Sequence, residues 1–273
     1  MKKFLKNSHR LPFLSVVVPA YNEVENFKRG VLGQIGKFLR KLQFSSEVIL
    51  INDGSTDGTE KLLANFVKVN PVFRLVNKEH GGKLKAIEAG VAKAAGEVIL
   101  FTDFDQSTPI SEFNKLLPHL KKGADLVIGS RMSKGSKRIN DPFFRYFRSK
   151  VLNFIIKIFL FGGISDTQCG FKAGKAKVFK ILFEDLKVTR MTKPKGGFMG
   201  PFDIELLYLA KKLNYKIVEV PVTWQYFPSR RLSIISEPTK FLFDIARIRL
   251  FNTLGNYNSR SRPDVTSGRA PLI

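Results

Sequence analysis

Two aspartates one residue apart follow a short apolar run, and their types and spacing suit them to chemistry. The run Val98–Phe101 is typical of a strand buried in a parallel sheet, and Asp103 and Asp105 come shortly after it. In an extended chain, side chains at positions i and i+2 point to the same side, so both carboxylates would meet. Oxygen ligands of this kind suit Mg²⁺ or Mn²⁺. The pattern predicts a divalent metal site, while a plain Asp-rich turn explains this motif equally well.

Strand and helix patterns alternate on either side of this pair. Short apolar runs predict strands at residues 14–18, 47–51, 73–76, 126–129 and 218–224. Amphipathic segments between them predict helices, the first of which continues to about residue 41. This alternation is typical of α/β proteins, in which helices flank a mostly parallel, Rossmann-like sheet. We therefore predict a single domain of that class, with the aspartate pair at the carboxyl edge of its sheet.

Acidic residues follow three of these predicted strands. They are Glu23, Asp53 with Asp57, and the pair Asp103 and Asp105. The dinucleotide fingerprint G-x-G-x-x-G is absent after the first strand, and no phosphate-binding G-x-x-x-x-G-K-[ST] loop occurs in the sequence. Carboxylates can accept hydrogen bonds from a base or ribose and can hold the metal that binds phosphate. The sequence thus favours a nucleotide-diphosphate compound bound through a metal.

Composition limits the partners and the compartment. The chain has 273 residues, a formal net charge of +23 and one cysteine, Cys169. Such charge favours an anionic partner, namely a nucleic acid, a membrane surface or a phosphorylated substrate. We rank nucleic acid last, because the phenylalanines follow core periodicities. The lone cysteine excludes an intrachain disulfide and fits a reducing cytoplasm. No apolar run reaches the ~18 residues of a membrane span, so we expect a cytoplasmic protein, peripheral at a membrane.

Several short motifs follow one another between about residues 14 and 257. They are SVVVPAYNE at 15–23, NDGSTDG at 52–58, the Asp103 and Asp105 pair, GSR at 129–131, DTQCGFK at 166–172 and FDIELL at 202–207. Together they resemble the family 2 glycosyltransferases of GT-A fold, in the branch of dolichyl-phosphate glucosyltransferases and dolichol-phosphate mannose synthases. The resemblance implies an inverting, metal-dependent transfer of glucose or mannose, from UDP-glucose or GDP-mannose, to a polyprenyl phosphate lipid.

The resemblance also implies roles on the donor side. The residues implied in binding the base and ribose are Pro19, Tyr21, Glu23 and Asp53. Asp103 and Asp105 would hold the cation against the donor diphosphate, and Lys83 would reach a phosphate. In the mannose synthases a glutamine two residues after the second aspartate helps to hold the metal. Here Ser107 has that place and Gln106 precedes it, so the third ligand stays open.

On the acceptor side, Arg131 follows a predicted strand, where its guanidinium could bind a phosphate. By resemblance, the lipid phosphate would be held by Arg145, Ser149 and the pair Arg230 and Arg231. The catalytic candidates are Asp105, Arg131 and Asp203. In family 2 enzymes with hydroxyl acceptors an acid near that place is the general base, so a saccharide hydroxyl is the alternative acceptor.

We divide the chain into one domain and a tail. The domain spans residues 1–258, with a nucleotide-sugar half at 13–107, an acceptor half at 108–235 and an amphipathic helix at 236–255. This basic helix could lie in an anionic membrane surface or pack on the sheet. Residues 259–273 are rich in Ser, Arg, Pro and Gly and are predicted to be disordered. The oligomeric state stays open.

Overall fold

A computed structural model describes residues 11–191, 201–227 and 237–257, the last range with side chains from residue 242. The strands are β1 (Leu14–Ala20), β2 (Ser46–Asp53), β3 (Phe73–Lys78), β4 (Val98–Phe101), β5 (Leu126–Ser130), β6 (Lys137–Ile139), β7 (Lys172–Lys175), β8 (Ile217–Pro221) and β9 (Thr223–Gln225). The helices are α1 (Val24–Lys28), α2 (Val31–Leu39), α3 (Thr59–Lys68), α4 (Lys83–Lys93), α5 (Phe113–Lys121), α6 (Phe143–Phe159), α7 (Ala176–Glu184), α8 (Val188–Met191), α9 (Phe202–Lys212) and α10 (Glu237–Thr253). A short 3₁₀ turn, Ile110–Glu112, precedes α5.

Seven strands form one sheet in the order β3-β2-β1-β4-β7-β5-β8. Their pairings are parallel except those of β7, which lies antiparallel between β4 and β5. β6 and β9 pair with each other in a separate parallel ribbon. The predicted α/β class with a mostly parallel sheet is confirmed, and the carboxyl ends of β1, β2 and β4 meet at one edge.

The sheet is covered by helices on both faces, because its central strands bury alternate residues on opposite sides. Val17, Ile49 and Phe101 belong to a core that includes residues of α4, α7 and α9. Val16 and Leu50 belong to a second core, with residues of α2 and α5. The strands are therefore firmly packed, and they support the loops that follow their carboxyl ends.

Two element boundaries differ from the prediction. The helix expected to continue to about residue 41 is divided into α1 and α2, since Gly30 adopts a left-handed conformation with φ of 72°. The strand expected at 218–224 is also two strands. Val222 donates its backbone N–H to Ser130 O at 3.0 Å, and the chain passes there from the large sheet to the β6–β9 ribbon.

The predicted C-terminal helix exists as α10 and contacts α6 and α8. Ile245 and Ile248 are buried, whereas Phe243 and Leu250 are exposed. One face of the helix therefore packs on the protein. Among the described residues, each helix falls short of the length and apolarity needed to cross a bilayer. The tail predicted at 259–273 lies outside the described residues, and the proposed division into halves stays a prediction.

Close contact between α4 and β1 gives a stability test. A Cβ added at Gly90 would lie 2.3 Å from Val17 Cγ1, and both residues are buried. Gly90→Ala should lower the free energy of unfolding by about 1–3 kcal/mol, because the helix must move off the strand. Gly33 in α2 has open space around its would-be Cβ. Gly33→Ala, the matched control, should leave stability unchanged or raise it by about 1 kcal/mol. Urea unfolding followed by circular dichroism measures both, and equal effects would contradict this packing.

Candidate active site

Hydrogen bonds join the loops that follow β1 and β2. Asn22, with φ of 53°, accepts the backbone N–H of Thr56 on Oδ1 at 2.8 Å and donates its own N–H to Ser55 Oγ at 3.0 Å. The N–H of Glu23 donates to Thr59 Oγ1 at 2.7 Å. Asp57 accepts from the N–H of Thr59 at 3.0 Å, so its carboxylate holds the loop. Partial burial opposes its charge, but hydrogen bonds from Thr59 outweigh this and lower the pKa of Asp57.

Tyr21 and Asp53, expected to contact the nucleotide, lie together at this edge. The Tyr21 ring stacks on His80 with centroids 4.2 Å apart and planes at 25°. The nearly buried carboxylate of Asp53 accepts the N–H groups of Gly81 and Gly82 at 3.0 and 2.8 Å and pairs with Lys78. Asp53 therefore fixes the loop before α4. Pro19, half-buried, pairs with Ile51 in the sheet beside them.

The aspartate pair lies beside a lysine ammonium. Lys83, the first residue of α4, forms an ion pair with Asp103. Burial opposes the charge of Lys83, but Asp103, Asp203 and Asp105 outweigh it and raise its pKa. Burial, and then the charge of Asp103, raise the pKa of Asp105. One cation is thus surrounded by three carboxylates.

These carboxylates fit a divalent cation. Asp105 has no ion-pair partner among the described residues, and Asp103 adds a second negative charge beside it. A second cation beside Lys83 would compensate it, and carboxylate oxygens are the ligands that Mg²⁺ and Mn²⁺ prefer. Residues 11–191, 201–227 and 237–257 contain no cluster of three acidic, His or Cys ligands, so a bound ion would need donor phosphate or water oxygens as well.

Gln106 holds the turn between the two aspartates. Its side-chain amide donates to Asp103 O at 2.9 Å and to Thr102 Oγ1 at 3.3 Å, and its backbone is left-handed with φ of 52°. The amide oxygen of Gln106 is buried and has no hydrogen-bond partner in the described part of the chain. The N–H of Ser107 donates to Asp105 Oδ1 at 2.8 Å. Both residues thus shape the acidic turn, and the third metal ligand stays open.

The segment 166–172, just before and into β7, contacts both sides of the site. A Cβ added at Gly170 would lie 2.1 Å from Asp103 Oδ2, so glycine lets that carboxylate rest on the backbone. At the other end of the segment, Asp166 receives Arg131 Nε and Nη2 at 2.7 and 2.9 Å. Burial opposes the charge of Arg131, but Asp166 outweighs it and raises its pKa. Asp103 also acts electrostatically on Arg131, so the acidic pair and this arginine are close.

Three arginines surround the ring of Trp224 in β9. Arg131, Arg138 and Arg145 have their Cζ atoms 5.6, 5.5 and 5.4 Å from its centroid. These distances are typical of cation–π contacts. We call this group the arginine cluster. It brings together Arg131 and Arg145, which the sequence assigned to the acceptor phosphate.

In the part of the chain that the structure describes, Arg145 is the member of the arginine cluster that has no carboxylate partner. Arg131 pairs with Asp166 and Arg138 with Asp141, whereas Arg145 has no ion pair among the described residues. Burial, and then the charge of Arg131, lower the pKa of Arg145. Guanidinium groups are the side chains best suited to bind a phosphate anion, so Arg131 and Arg145 could do so here.

The other predicted acceptor residues are placed differently. The hydroxyl of Ser149 donates to Arg145 O at 3.0 Å, one turn back along α6. Arg230 and Arg231 lie outside the described residues. Asp203 begins α9 and pairs through Oδ1 with Lys172 at 2.5 Å, and Lys172 is fully buried. The ammonium of Lys172 also donates to Cys169 O at 2.6 Å.

Sequence reasoning missed four residues of this site. His80, Asp166, Lys172 and Trp224 had no assigned role, although two of them stand in the quoted DTQCGFK motif. The available signal was charge, since Asp166 and Lys172 are the two charged residues of that short motif. Buried ions need partners, and these two proved to be partners of Arg131 and Asp203.

Comparisons with known proteins identify the family of this chain. The model of the family described as "Glycosyl transferase family 2" matches residues 15–183. A dolichyl-phosphate beta-glucosyltransferase of Dictyostelium discoideum is 34% identical over 265 residues, covering 91% of this chain and 77% of that protein.

Solved structures share the fold at low identity. Mannosyl-3-phosphoglycerate synthase from Rubrobacter xylanophilus has a TM-score of 0.57 at 14% identity, covering 96% of this chain and 78% of that one. Glucosyl-3-phosphoglycerate synthase from Mycobacterium tuberculosis, in complex with Mn²⁺, UDP and glucosyl-3-phosphoglycerate, has a TM-score of 0.54 at 17% identity, covering 93% and 82%. Because the family match spans more than half of the chain, this protein belongs to glycosyl transferase family 2 and is a glycosyltransferase of GT-A fold.

Proposed function

We propose that the chain transfers glucose, with inversion, from a nucleotide-glucose to a polyprenyl phosphate of the dolichyl type, at the cytoplasmic face of a membrane. The relatives named dolichyl-phosphate beta-glucosyltransferases favour glucose over mannose and a lipid phosphate as acceptor. The neighbour that holds UDP makes UDP-glucose the first donor to test. The observation with most weight is that Arg145 lies next to Arg131 and has no ion pair among the described residues, while Asp103 and Asp105 lie beside the ammonium of Lys83.

On the donor side, Asp103 and Asp105 would hold Mg²⁺ or Mn²⁺. A bound divalent ion supplies positive charge against the diphosphate that leaves with the nucleotide. Lys83, already at Asp103, is near enough to neutralise part of the same diphosphate. Pro19, Tyr21, Glu23 and Asp53 remain the proposed surroundings of the base and ribose, with Asp53 also fixing the loop that positions Lys83.

On the acceptor side, Arg131 and Arg145 would bind the phosphate and aim one of its oxygens at the anomeric carbon. Asp166 orients Arg131, because its bidentate contact fixes the plane of the guanidinium. A phosphate oxygen is already anionic at neutral pH, so attack needs no proton acceptor. Ser149, Arg230 and Arg231 stay proposed acceptor contacts.

A saccharide hydroxyl is the second candidate acceptor. It would need Asp203 as general base. In the structure, Asp203 Oδ1 already accepts from Lys172 at 2.5 Å. That contact favours a structural and electrostatic role for Asp203, and therefore the phosphate acceptor.

Removal of Asp105 tests the metal. Asp105→Ala should lower the rate of glucosyl transfer by about a hundredfold or more, because the leaving diphosphate loses its compensating charge. Wild-type activity should vanish in EDTA and return with Mn²⁺, whereas the variant should not recover. Electron paramagnetic resonance of Mn²⁺ with UDP should show weaker binding in the variant. Full activity of Asp105→Ala in EDTA would overturn the metal site.

Replacement of Arg145 tests the acceptor site. Arg145→Ala should raise the KM for a short, water-soluble polyprenyl phosphate by about tenfold or more and leave the KM for UDP-glucose nearly unchanged, since a charged hydrogen bond to phosphate is lost. Lys157→Ala, an exposed cation on the same helix, is the matched control and should keep both values. An Arg145→Ala enzyme with unchanged acceptor KM would contradict the assignment.

The variant Asp203→Asn separates the two acceptors. With polyprenyl phosphate we expect kcat to fall by less than about tenfold, because only the ion pair to Lys172 is weakened. A hydroxyl acceptor would instead lose about a hundredfold or more with its base. Thermal unfolding of the variant shows whether a loss comes from destabilisation. A folded Asp203→Asn enzyme that no longer transfers glucose would support a saccharide hydroxyl as the acceptor.

A further inference from the structure

Helix α6 exposes a continuous apolar stripe. Its exposed large hydrophobic residues have between 43% and 79% of their surface exposed: Phe143, Phe144, Phe147, Val151, Phe154, Ile158 and Phe159. The first six lie within an arc of about 100° at 3.6 residues per turn, and Phe159 lies about 60° beyond that arc. The opposite side of the helix is buried through Asn153 and Ile156. A soluble protein rarely exposes so many aromatic rings on one face without a partner.

Positive charge borders this stripe, which we call the α6 stripe. At the same angular spacing, Lys150 and Lys157 lie along one side and Arg148 along the other. The sequence of α6, FFRYFRSKVLNFIIKIF, contains no acidic residue. An apolar face with basic borders is typical of helices that lie in the interface of an anionic membrane. The neighbouring helix α10, which contacts α6, adds the exposed Phe243 and Leu250.

The α6 stripe and Arg145 of the arginine cluster belong to the same helix. Arg145, one residue after Phe144, turns its guanidinium to the rings of Trp224 and Tyr226, at 5.4 and 4.9 Å. A helix sunk to the depth of the headgroups would therefore bring Arg145 to the level at which lipid phosphates lie. A lipid acceptor could bind there with its chain still in the leaflet.

We infer that the α6 stripe is a membrane-docking surface that inserts into an anionic leaflet and presents the arginine cluster to phosphate at headgroup depth. This inference deepens the proposed function and rests on it for the nature of the acceptor. Two copies of the chain would oppose basic borders of like charge, on a protein of net charge +23, which disfavours a dimer through this face. An anionic bilayer would bury the apolar stripe among its lipids and attract the basic borders to its headgroups.

Vesicle binding tests the inference without any acceptor or donor. The full chain is sedimented with vesicles of phosphatidylcholine and phosphatidylglycerol, and with vesicles of phosphatidylcholine alone. The wild type should partition into the anionic vesicles. The triple variant Phe144→Ser, Phe147→Ser and Phe154→Ser should bind them about tenfold less for each ring that leaves the lipid. Val69→Ser is the matched control, because Val69 is 78% exposed far from α6 in sequence and should not alter binding.

The remaining outcomes are distinguishable. Unchanged vesicle binding by the triple variant, with a native circular dichroism spectrum, would overturn the inference, and so would conversion of a wild-type dimer to a monomer without loss of vesicle binding. The triple variant should also keep its rate on a short, water-soluble polyprenyl phosphate while losing the rate on a long-chain acceptor in vesicles. If vesicle binding behaves as expected but no polyprenyl phosphate is glucosylated, the docking surface stands and the proposed function fails.

Discussion

Compensation of charge in a partly dehydrated space is the constraint on which this site depends. Asp103 is paired with Lys83, Asp166 with Arg131, and Asp203 with Lys172, whose side chain is fully buried. Burying an ion without a partner would cost several kcal/mol of folding free energy. Each loop is therefore held in the position in which its ion stays paired. Among the described residues, two groups of this site form no ion pair: the carboxylate of Asp105 and the guanidinium of Arg145. Ligands of opposite charge would compensate each of them.

The sheet explains why the acidic pair and Arg131 lie near each other. Strands β4 and β5 are separated by β7 alone, and the segment before β7 contacts Asp103 through Gly170 and Arg131 through Asp166. One short segment thereby sets the distance between the acidic pair and the arginine cluster. A shift of this segment would move both at once, which makes it a common support for donor and acceptor.

The sequence allowed much of this arrangement to be predicted, because strand periodicity and the rule that ligands bind at carboxyl ends are local. Asp103, Asp105 and Arg131 were placed at strand ends on that basis. The ion pairs of Asp166 and Lys172 were not predicted. They depend on β7 running antiparallel between β4 and β5, two strands that lie far from it in the sequence. The face of α6 was equally hidden, because apolar residues directed to a core and to a surface have the same periodicity.

Helix α6 connects the arginine cluster to the exposed apolar surface of the protein. Its buried side packs on the protein and its N-terminal turn directs Arg145 to Trp224, whereas the opposite side is apolar and exposed. A rigid helix keeps a fixed distance between its two sides. The depth at which the exposed rings enter the leaflet therefore sets the depth of the arginine cluster. A phosphate attached to a long lipid chain is confined to a plane, and a binding site at fixed depth loses less entropy in capturing it than a mobile one would. These rings are exposed to solvent in the isolated fold, and their proposed role is to set the depth at which the acceptor site meets the leaflet.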